Sequence, residues 1–316
     1  MKNRIDIFAE LGKRLSGGVP PKVAERAVAE NEWFRPEEIA SAVEAICTEM
    51  LNHNKLQKWM AHYPTLPVAV AEDVMIVMAG NIPLVGFFDL LCVVMAGHKA
   101  YVKPSSKDSV LMEYVISTVK DIEPDIPIYI GVCENPSRVI ATGGESAVRH
   151  FKSAFKGVTT LLRGSRHSIA VLSGEGEESI EEDIYAYSGL GCRNVSMIFY
   201  PKGSELSVKK YDTHHKYHNN YLQNRALLTM QGRKFVDNGS SLFIASSKFP
   251  SALSVISTYE YDSIEEVSRW IAEHDEELQC IVSSVIQHPR RVGFGESQKP
   301  TLMDYADEVD TMKFLM

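Results

Sequence analysis

Val74-Met75-Ile76-Val77-Met78-Ala79-Gly80-Asn81-Ile82-Pro83 decides how the chain is read. Six apolar residues in a row, closed by a glycine and a proline, fit a strand buried on both faces. The apolar run that follows, residues 84–95, fits a buried helix. On hydropathy alone residues 74–97 could pass for a membrane span. Asp89 would cost about 2.5–3.5 kcal/mol at the bilayer centre, however, and Asn81-Ile82-Pro83 breaks the helix near its first third. The stretch therefore reads as strand, turn and buried helix.

Strands and helices alternate from there, which predicts a parallel, doubly wound sheet. Strands are expected at 100–103, 127–131, 138–142, 158–162 and 169–172. A helix capped by Asp108 or Ser109 would turn Leu111, Tyr114, Val115 and Val119 inward. Gly143-Gly144-Glu145 turns into a helix running through Phe155. Upstream, residues 1–65 read as helical: Ile7, Phe8, Leu11 and Leu15 share one face, and Pro36-Glu37-Glu38 opens a helix with Ile39, Val43, Ile46, Met50 and Leu51 inward. Downstream, strands are expected at 195–200, 241–245, 254–259 and 279–285, with a helix at 264–274 facing Val267, Trp270 and Ile271 inward. Residues 202–234 read as a polar, basic loop.

The domain organisation expected is a helical segment 1–65 ending in a hinge at 64–67, a dinucleotide-binding domain 66–173, a smaller α/β catalytic domain 174–296 and a tail 297–316. The small polar residues 173–176 mark the crossing. With 316 residues, 45% of them hydrophobic, the chain can bury a sizeable core. A net charge of −8 with scattered Lys and Arg excludes a nucleic-acid footprint. Five irregularly spaced cysteines, at 47, 92, 133, 192 and 280, offer neither a disulfide framework nor a CxxC knuckle and suit a reducing cytoplasm. No export signal is visible at the N-terminus.

The candidate chemistry centres on Tyr187-Ser188-Gly189-Leu190-Gly191-Cys192-Arg193-Asn194-Val195-Ser196. It lies between an acidic, helix-compatible segment, 177–187, and a strand. The glycines allow a close backbone approach and leave the Cys192 N–H to face a reacting oxygen. Arg193 favours the thiolate. Equally, Cys192 could be a small buried hydrophobe. Asn81 either donates its amide to an oxyanion or simply caps the helix after it. Lys103, ending a strand before Ser105 and Ser106, could bond a ribose or phosphate, or be a solvated strand-end lysine. Thr142-Gly143-Gly144-Glu145 suits a pyrophosphate on helix amides but is not a full GxGxxG. His214 and His218 would share a helix face, yet no carboxylate follows at HExxH spacing and Lys209, Lys210 and Lys216 oppose a dication, so no metal is assigned.

In this order, Gly80-Asn81-Ile82-Pro83-Leu84, Val102-Lys103-Pro104-Ser105-Ser106, Thr142-Gly143-Gly144-Glu145 and Gly191-Cys192 resemble the aldehyde dehydrogenase superfamily. With the tail Asp304-Tyr305-Ala306-Asp307-Glu308-Val309-Asp310-Thr311-Met312, they are similar to its acyl-CoA reductase branch, the fatty-acid reductase of bacterial bioluminescence. The resemblance implies an aldehyde-dehydrogenase-like α/β fold. It implies Cys192 as nucleophile, Asn81 with the Cys192 N–H as oxyanion donors, and Gly80, Lys103, Ser105, Ser106, Thr142, Gly143, Gly144 and Glu145 around the cofactor.

Three departures from the superfamily stand out. Leu161-Leu162-Arg163-Gly164 places a leucine where aldehyde-oxidising members have a water-activating glutamate. No glutamate for the nicotinamide ribose occurs in 248–253. The connection 131–138 is too short for a crossover helix. The first departure implies acyl-thioester rather than aldehyde-oxidising chemistry. Ser106 and Lys107, where NAD-preferring members often have a glutamate, imply NADPH. The resemblance thus implies an NADPH-dependent, cytoplasmic reductase turning a fatty acyl-CoA into an aldehyde through a cysteine acyl-enzyme. An acyl-phosphate reductase and a non-catalytic acyl-binding or scaffold subunit are the alternatives. Acyl chain length, a homo-oligomeric state and an acyl-donating partner protein are left open.

Overall fold

The computed structural model describes residues 3–174 and 179–316. Parts of the expected crossing at 173–176 and of the acidic segment 177–187 lie outside the described residues. Contacts divide the chain into two compact units: Met1–Ser165 with Lys299–Met316, and Arg166–Gln298.

The first unit is built on five parallel strands, β1 (Asp73–Val77), β2 (Lys99–Lys103), β3 (Ile128–Ile130), β4 (Arg138–Thr142) and β5 (Thr159–Arg163), in the order β3-β2-β1-β4-β5. Alternation along β1 sends Val74 and Ile76 to one face and Met75 to the other, and all three are buried. A parallel sheet covered on both sides requires this run of apolar residues. The first face is covered by α1 (Arg4–Leu15), α2 (Pro21–Glu30), α3 (Pro36–Ala45), α4 (His53–Met60), α5 (Phe87–Ala96) and α6 (Ser109–Ile122). The other carries α7 (Glu145–Ala154), which contributes Phe151. The inward residues expected of the N-terminal helices, Ile7, Phe8, Leu11, Leu15, Ile39, Val43, Ile46, Met50 and Leu51, are all buried. The hinge expected at 64–67 falls inside this unit because the helices before it share one core with the strands after it.

The link from β3 to β4, residues 131–137, holds no helix. It must cross three strand spacings, about 14 Å, and climb back along a short strand of about 10 Å, and seven residues reach about 24 Å. The two displacements are perpendicular, about 17 Å in all, so an extended link suffices while seven residues folded as a helix, about 10 Å long, would fall short. One consequence lies on the α7 face, where Tyr101 and Tyr129, cross-strand partners, stack at 5.0 Å and shield each other.

The tail is not a separate element. Arg163 at the end of β5 pairs with Asp89 at 2.5 Å and donates to Thr311 Oγ1 at 2.7 Å. Tyr305 accepts from Trp59 at 2.7 Å and lies 2.6 Å from Tyr63, whose hydroxyl donates to Asp310 at 2.9 Å. Arg138 donates to the Phe314 carbonyl, and His98 Nε2 lies 2.7 Å from that of Leu315. Asp89, the charge that made a membrane span costly, is thus a buried ion-pair partner. Among the described residues no helix is long and apolar enough to cross a membrane.

The second unit carries seven strands in the order β12-β11-β6-β7-β10-β9-β8, where β6 is His167–Val171, β7 Val195–Pro201, β8 Val236–Asp237, β9 Leu242–Ala245, β10 Val255–Tyr261, β11 Leu278–Ser283 and β12 Arg291–Val292. Only β8 runs antiparallel to its neighbour. Because β6 pairs with β7 and β11, the chain leaves the first unit at Ser165, ahead of the crossing expected at 173–176. Helices α8 (Glu181–Tyr185), α9 (His215–Met230) and α10 (Ile264–Glu273) complete the unit. The helix α9 corrects the loop expected over 202–234. Its buried contacts are Tyr217, Tyr221 and Leu228, a spacing of four and seven carried mostly by tyrosines, so no aliphatic stripe announced it.

Candidate active site

Cys192 sits at the amino end of β7 and is exposed, so the reading of it as a buried small hydrophobe does not hold. The turn that delivers it is conformationally costly. Tyr187, Ser188 and Gly189 have φ of 52°, 56° and 66°. Only the glycine adopts that region without penalty; each of the others gives up about 1–2 kcal/mol.

What holds the turn is Asn194, a buried side chain that the motif reading passed over. Its Oδ1 accepts the Gly191 N–H at 2.8 Å, while Nδ2 donates to the carbonyls of Ala186 at 2.8 Å and Ile184 at 3.2 Å. The Asn194 N–H in turn reaches the Gly191 carbonyl at 3.1 Å. A Cβ at Gly191 would come to 3.0 Å from Asn194 Oδ1, so glycine is what lets the amide close on the turn.

Two further groups brace the loop. Ser168, fully buried on β6, donates to the Cys192 carbonyl at 2.8 Å and accepts from the Cys280 N–H at 3.1 Å. Asp183 accepts from the N–H groups of Gly295 at 2.8 Å and Ser297 at 3.1 Å, and burial pushes its carboxyl up from the ordinary value against those two bonds. Arg193, expected to favour the thiolate, extends its guanidinium to the Ser297 carbonyl at 3.4 Å. None of these braces has a local sequence signal: Ser168 and Cys280 lie 24 and 88 residues from Cys192 in opposite directions.

In the first unit, the remaining sequence-derived residues gather at the carboxyl edge of one sheet. Gly80 and Asn81 follow β1, Lys103 ends β2 in register with Val77, and Thr142 ends β4. The strand order reverses between β1 and β4, and a crevice at such a reversal is where doubly wound sheets take their ligands. Gly80 packs on the loop after β2; a Cβ there would lie 2.7 Å from Ser105 Oγ. Lys103, Ser106 and Glu145 are exposed, with Glu145 paired loosely to Arg149 at 3.7 Å. Gly144 is the N-cap of α7, with no side-chain cap bond, and a Cβ there would meet nothing within 4 Å. A bare helix N-terminus of this kind suits a phosphate. A Cβ at Gly143, by contrast, would come to 2.7 Å from Ala147, so this glycine serves the turn itself.

Asn81 does not cap the helix after it. α5 starts at Phe87 with Gly86 as its N-cap, and the exposed Asn81 stands in the loop between. Asn31 Nδ2 donates to the Gly80 carbonyl at 3.2 Å, and Asp108 Oδ2 accepts the Leu84 N–H at 2.7 Å, so both sides of that loop are fastened.

At the other polar cluster, His214 caps α9 by accepting the Lys216 N–H at 3.2 Å, and among the described residues no group of three or more His, Cys, Asp or Glu is arranged to hold a metal.

No family model matches the chain, and no curated protein matches it. Solved structures do. An oxidoreductase from Marinobacter aquaeolei superposes with a TM-score of 0.64 at 11% identity, covering 95% of this chain and 78% of that one. A succinic semialdehyde dehydrogenase from Streptococcus pyogenes, in complex with NADP+, gives 0.65 at 11% identity over 89% and 76%. An aldehyde dehydrogenase from Bacillus cereus, in an NAD+ complex, gives 0.60 at 13% over 89% and 70%. The chain has the aldehyde-dehydrogenase-like fold.

Proposed function

We propose that the chain is an NADPH-dependent acyl-thioester reductase that forms an aldehyde through an acyl-enzyme on Cys192. The observation that carries this reading is the end of β5. Leu161, where an aldehyde-oxidising relative would activate water, is buried in the apolar core, and Arg163 two residues on is held by Asp89 and Thr311. Neither Leu161 nor Arg163 can deprotonate water, and the Asp89 carboxylate is taken up by Arg163. Without a base at that position, an acyl-enzyme is better suited to reduction than to hydrolysis.

The exposed Cys192 thiolate attacks the thioester carbonyl carbon; a new carbon–sulfur bond forms and the bond to coenzyme A breaks, releasing its thiolate. Asn194 and Ser168 keep the attacking residue's backbone fixed while this happens. The Asn81 amide is assigned the oxyanion. The nicotinamide cofactor, when bound, supplies the hydride to the acyl carbon; the carbon–sulfur bond to Cys192 then breaks, releasing the aldehyde and returning the Cys192 thiolate. Gly144 and the α7 amides would hold its phosphates, with Gly80, Thr142, Gly143 and Glu145 lining the two strand ends. Lys103, Ser105, Ser106 and Lys107 would hold its ribose and a 2′-phosphate, for which a hydroxyl and a cation suit better than an acid. Glu145 is the least favourable of these neighbours for a phosphate and is offset in part by Arg149.

The test is a matched assay of NADPH oxidation with acyl-CoA and with acyl phosphate, alongside NADP+ reduction with the aldehyde in water. Oxidation with acyl-CoA only is expected. Preference for acyl phosphate would move the chain to that substrate class, and hydrolytic aldehyde oxidation would overturn the reading.

A further inference from the structure

Asp108 occupies the N-cap position of α6, where an aspartate ordinarily accepts a hydrogen bond from the second or third N–H of its own helix. Here no side-chain cap bond is made. The carboxyl is turned instead to a residue 24 positions earlier, accepting the Leu84 N–H at 2.7 Å. Leu84 has a φ of 55°, a left-handed backbone that a branched side chain rarely adopts. A buried bond from a distant carboxyl is what would be needed to keep it there. The backbone N of Asp108 itself lies against Gly80, 3.2 Å from where a Cβ there would stand. Asp108 therefore touches both ends of the short loop that presents Asn81.

The arrangement is unfavourable for capping and for solvation. Asp108 is 5% exposed, and its second oxygen, Oδ1, is buried with no hydrogen-bond partner. Burial pushes this carboxyl well above the ordinary carboxylate range. A residue serving only to start α6 would do so better with its side chain on the helix amides. The cost is explained if the loop after β1 must be held in one shape.

We propose that Asp108 is the positioning residue for Asn81, fixing the Gly80–Leu84 loop through the Leu84 N–H so that the asparagine amide is presented to the reacting oxygen. This rests on the reductase reading for its kinetic consequence but not for its structural one. A carboxyl and a carboxamide both offer an acceptor oxygen to the Leu84 N–H, so Asp108→Asn is the conservative variant and Asp108→Ala the disruptive one.

The experiment compares wild type, D108N and D108A by acyl-CoA turnover, by amide hydrogen exchange over residues 80–86 and by thermal melting. The expected result for D108A is kcat lower by about 10- to 100-fold with KM within about twofold, the range for a catalytic group slightly misplaced. Faster exchange across 80–86 should accompany it, and D108N should recover most of both. Unchanged exchange in D108A would overturn the proposal, as would a kcat loss no larger than the unfolded fraction explains, or a D108N as impaired as D108A. If wild type shows no acyl-CoA turnover, the reductase reading fails, and the exchange comparison still decides whether Asp108 holds the loop.

Discussion

The Asn194 side chain is bonded to the chain on both sides of the left-handed turn: its Oδ1 takes the Gly191 N–H at 2.8 Å and its Nδ2 gives to the Ala186 carbonyl at 2.8 Å. Between those two residues lie Tyr187 and Ser188 in a conformation they do not favour. Without the amide the turn rests on backbone bonds and the brace from Ser168. Asn194→Ala leaves several buried backbone groups unpaired, each worth about 1–3 kcal/mol. The variant should unfold about 2–4 kcal/mol more easily in urea, and without urea Cys192 should alkylate at an altered rate while the half-buried Cys47 and Cys133 keep theirs. Retained stability would show that the turn is held elsewhere.

Ser168 should behave differently from Asn194. Removing its hydroxyl frees the Cys192 carbonyl and strands the buried Cys280 N–H. Ser168→Ala is expected to lose about 1–3 kcal/mol, the range for one unsatisfied buried group. Denaturant melts of the two variants, compared on one m-value, would separate them.

The Arg163–Asp89 pair fastens the tail to the sheet. Both side chains are almost wholly buried, so breaking the pair from one side leaves an uncompensated charge. Asp89→Asn is expected to destabilise by about 3–5 kcal/mol, whereas Asp89→Leu combined with Arg163→Met should be far milder, because an apolar pair of similar volume avoids the desolvation of both ions. A double-mutant cycle in urea would read the coupling directly; additive losses would mean that the pair contributes nothing as a pair.

Asp108 makes the pH dependence of stability specific. Its folded-state carboxyl titrates well above the ordinary 3.8 because burial disfavours the charge. Between those two values the folded chain holds a proton that the unfolded chain has released. Stability from this group is therefore full below about pH 4 and declines as pH rises, by up to about 1.4 kcal/mol per pH unit, until the folded carboxyl itself ionises. Asp108→Asn removes the titration, so wild type and variant should diverge in slope above pH 4, with wild type losing ground. Parallel profiles would show that the carboxyl is ionised in the folded state throughout.

These residues mark where the sequence was informative and where it was not. The run Val74 to Val77 announced a strand buried on both faces because apolar side chains on both sides of the pleat leave no other outcome in water. β4 was legible to the residue, and the inward faces of α1 and α3 were set by spacing alone. The helix α9 was not, since tyrosines do its packing. Asp108 was legible only as a cap: position favours a bond to the next turn, and nothing local reports that Leu84 competes for it. Ser168 and Arg163 act through partners distant in sequence, in the case of Arg163 74 and 148 residues away. Asn194 acts through backbone groups 3 to 10 residues back, whose approach depends on a left-handed turn that no local residue type announced. Short motifs located Cys192 and Asn81; the groups that fix their loops follow from topology.

Intact mass measurement after incubation with a long-chain acyl-CoA, with and without NADPH, tests the central claim most directly. The expected result is a single acyl adduct, mapped to Cys192, that accumulates without cofactor, disappears when NADPH is added, and never forms in Cys192→Ala. An adduct on another residue, or Cys192→Ala turning over acyl-CoA at the wild-type rate, would contradict the account.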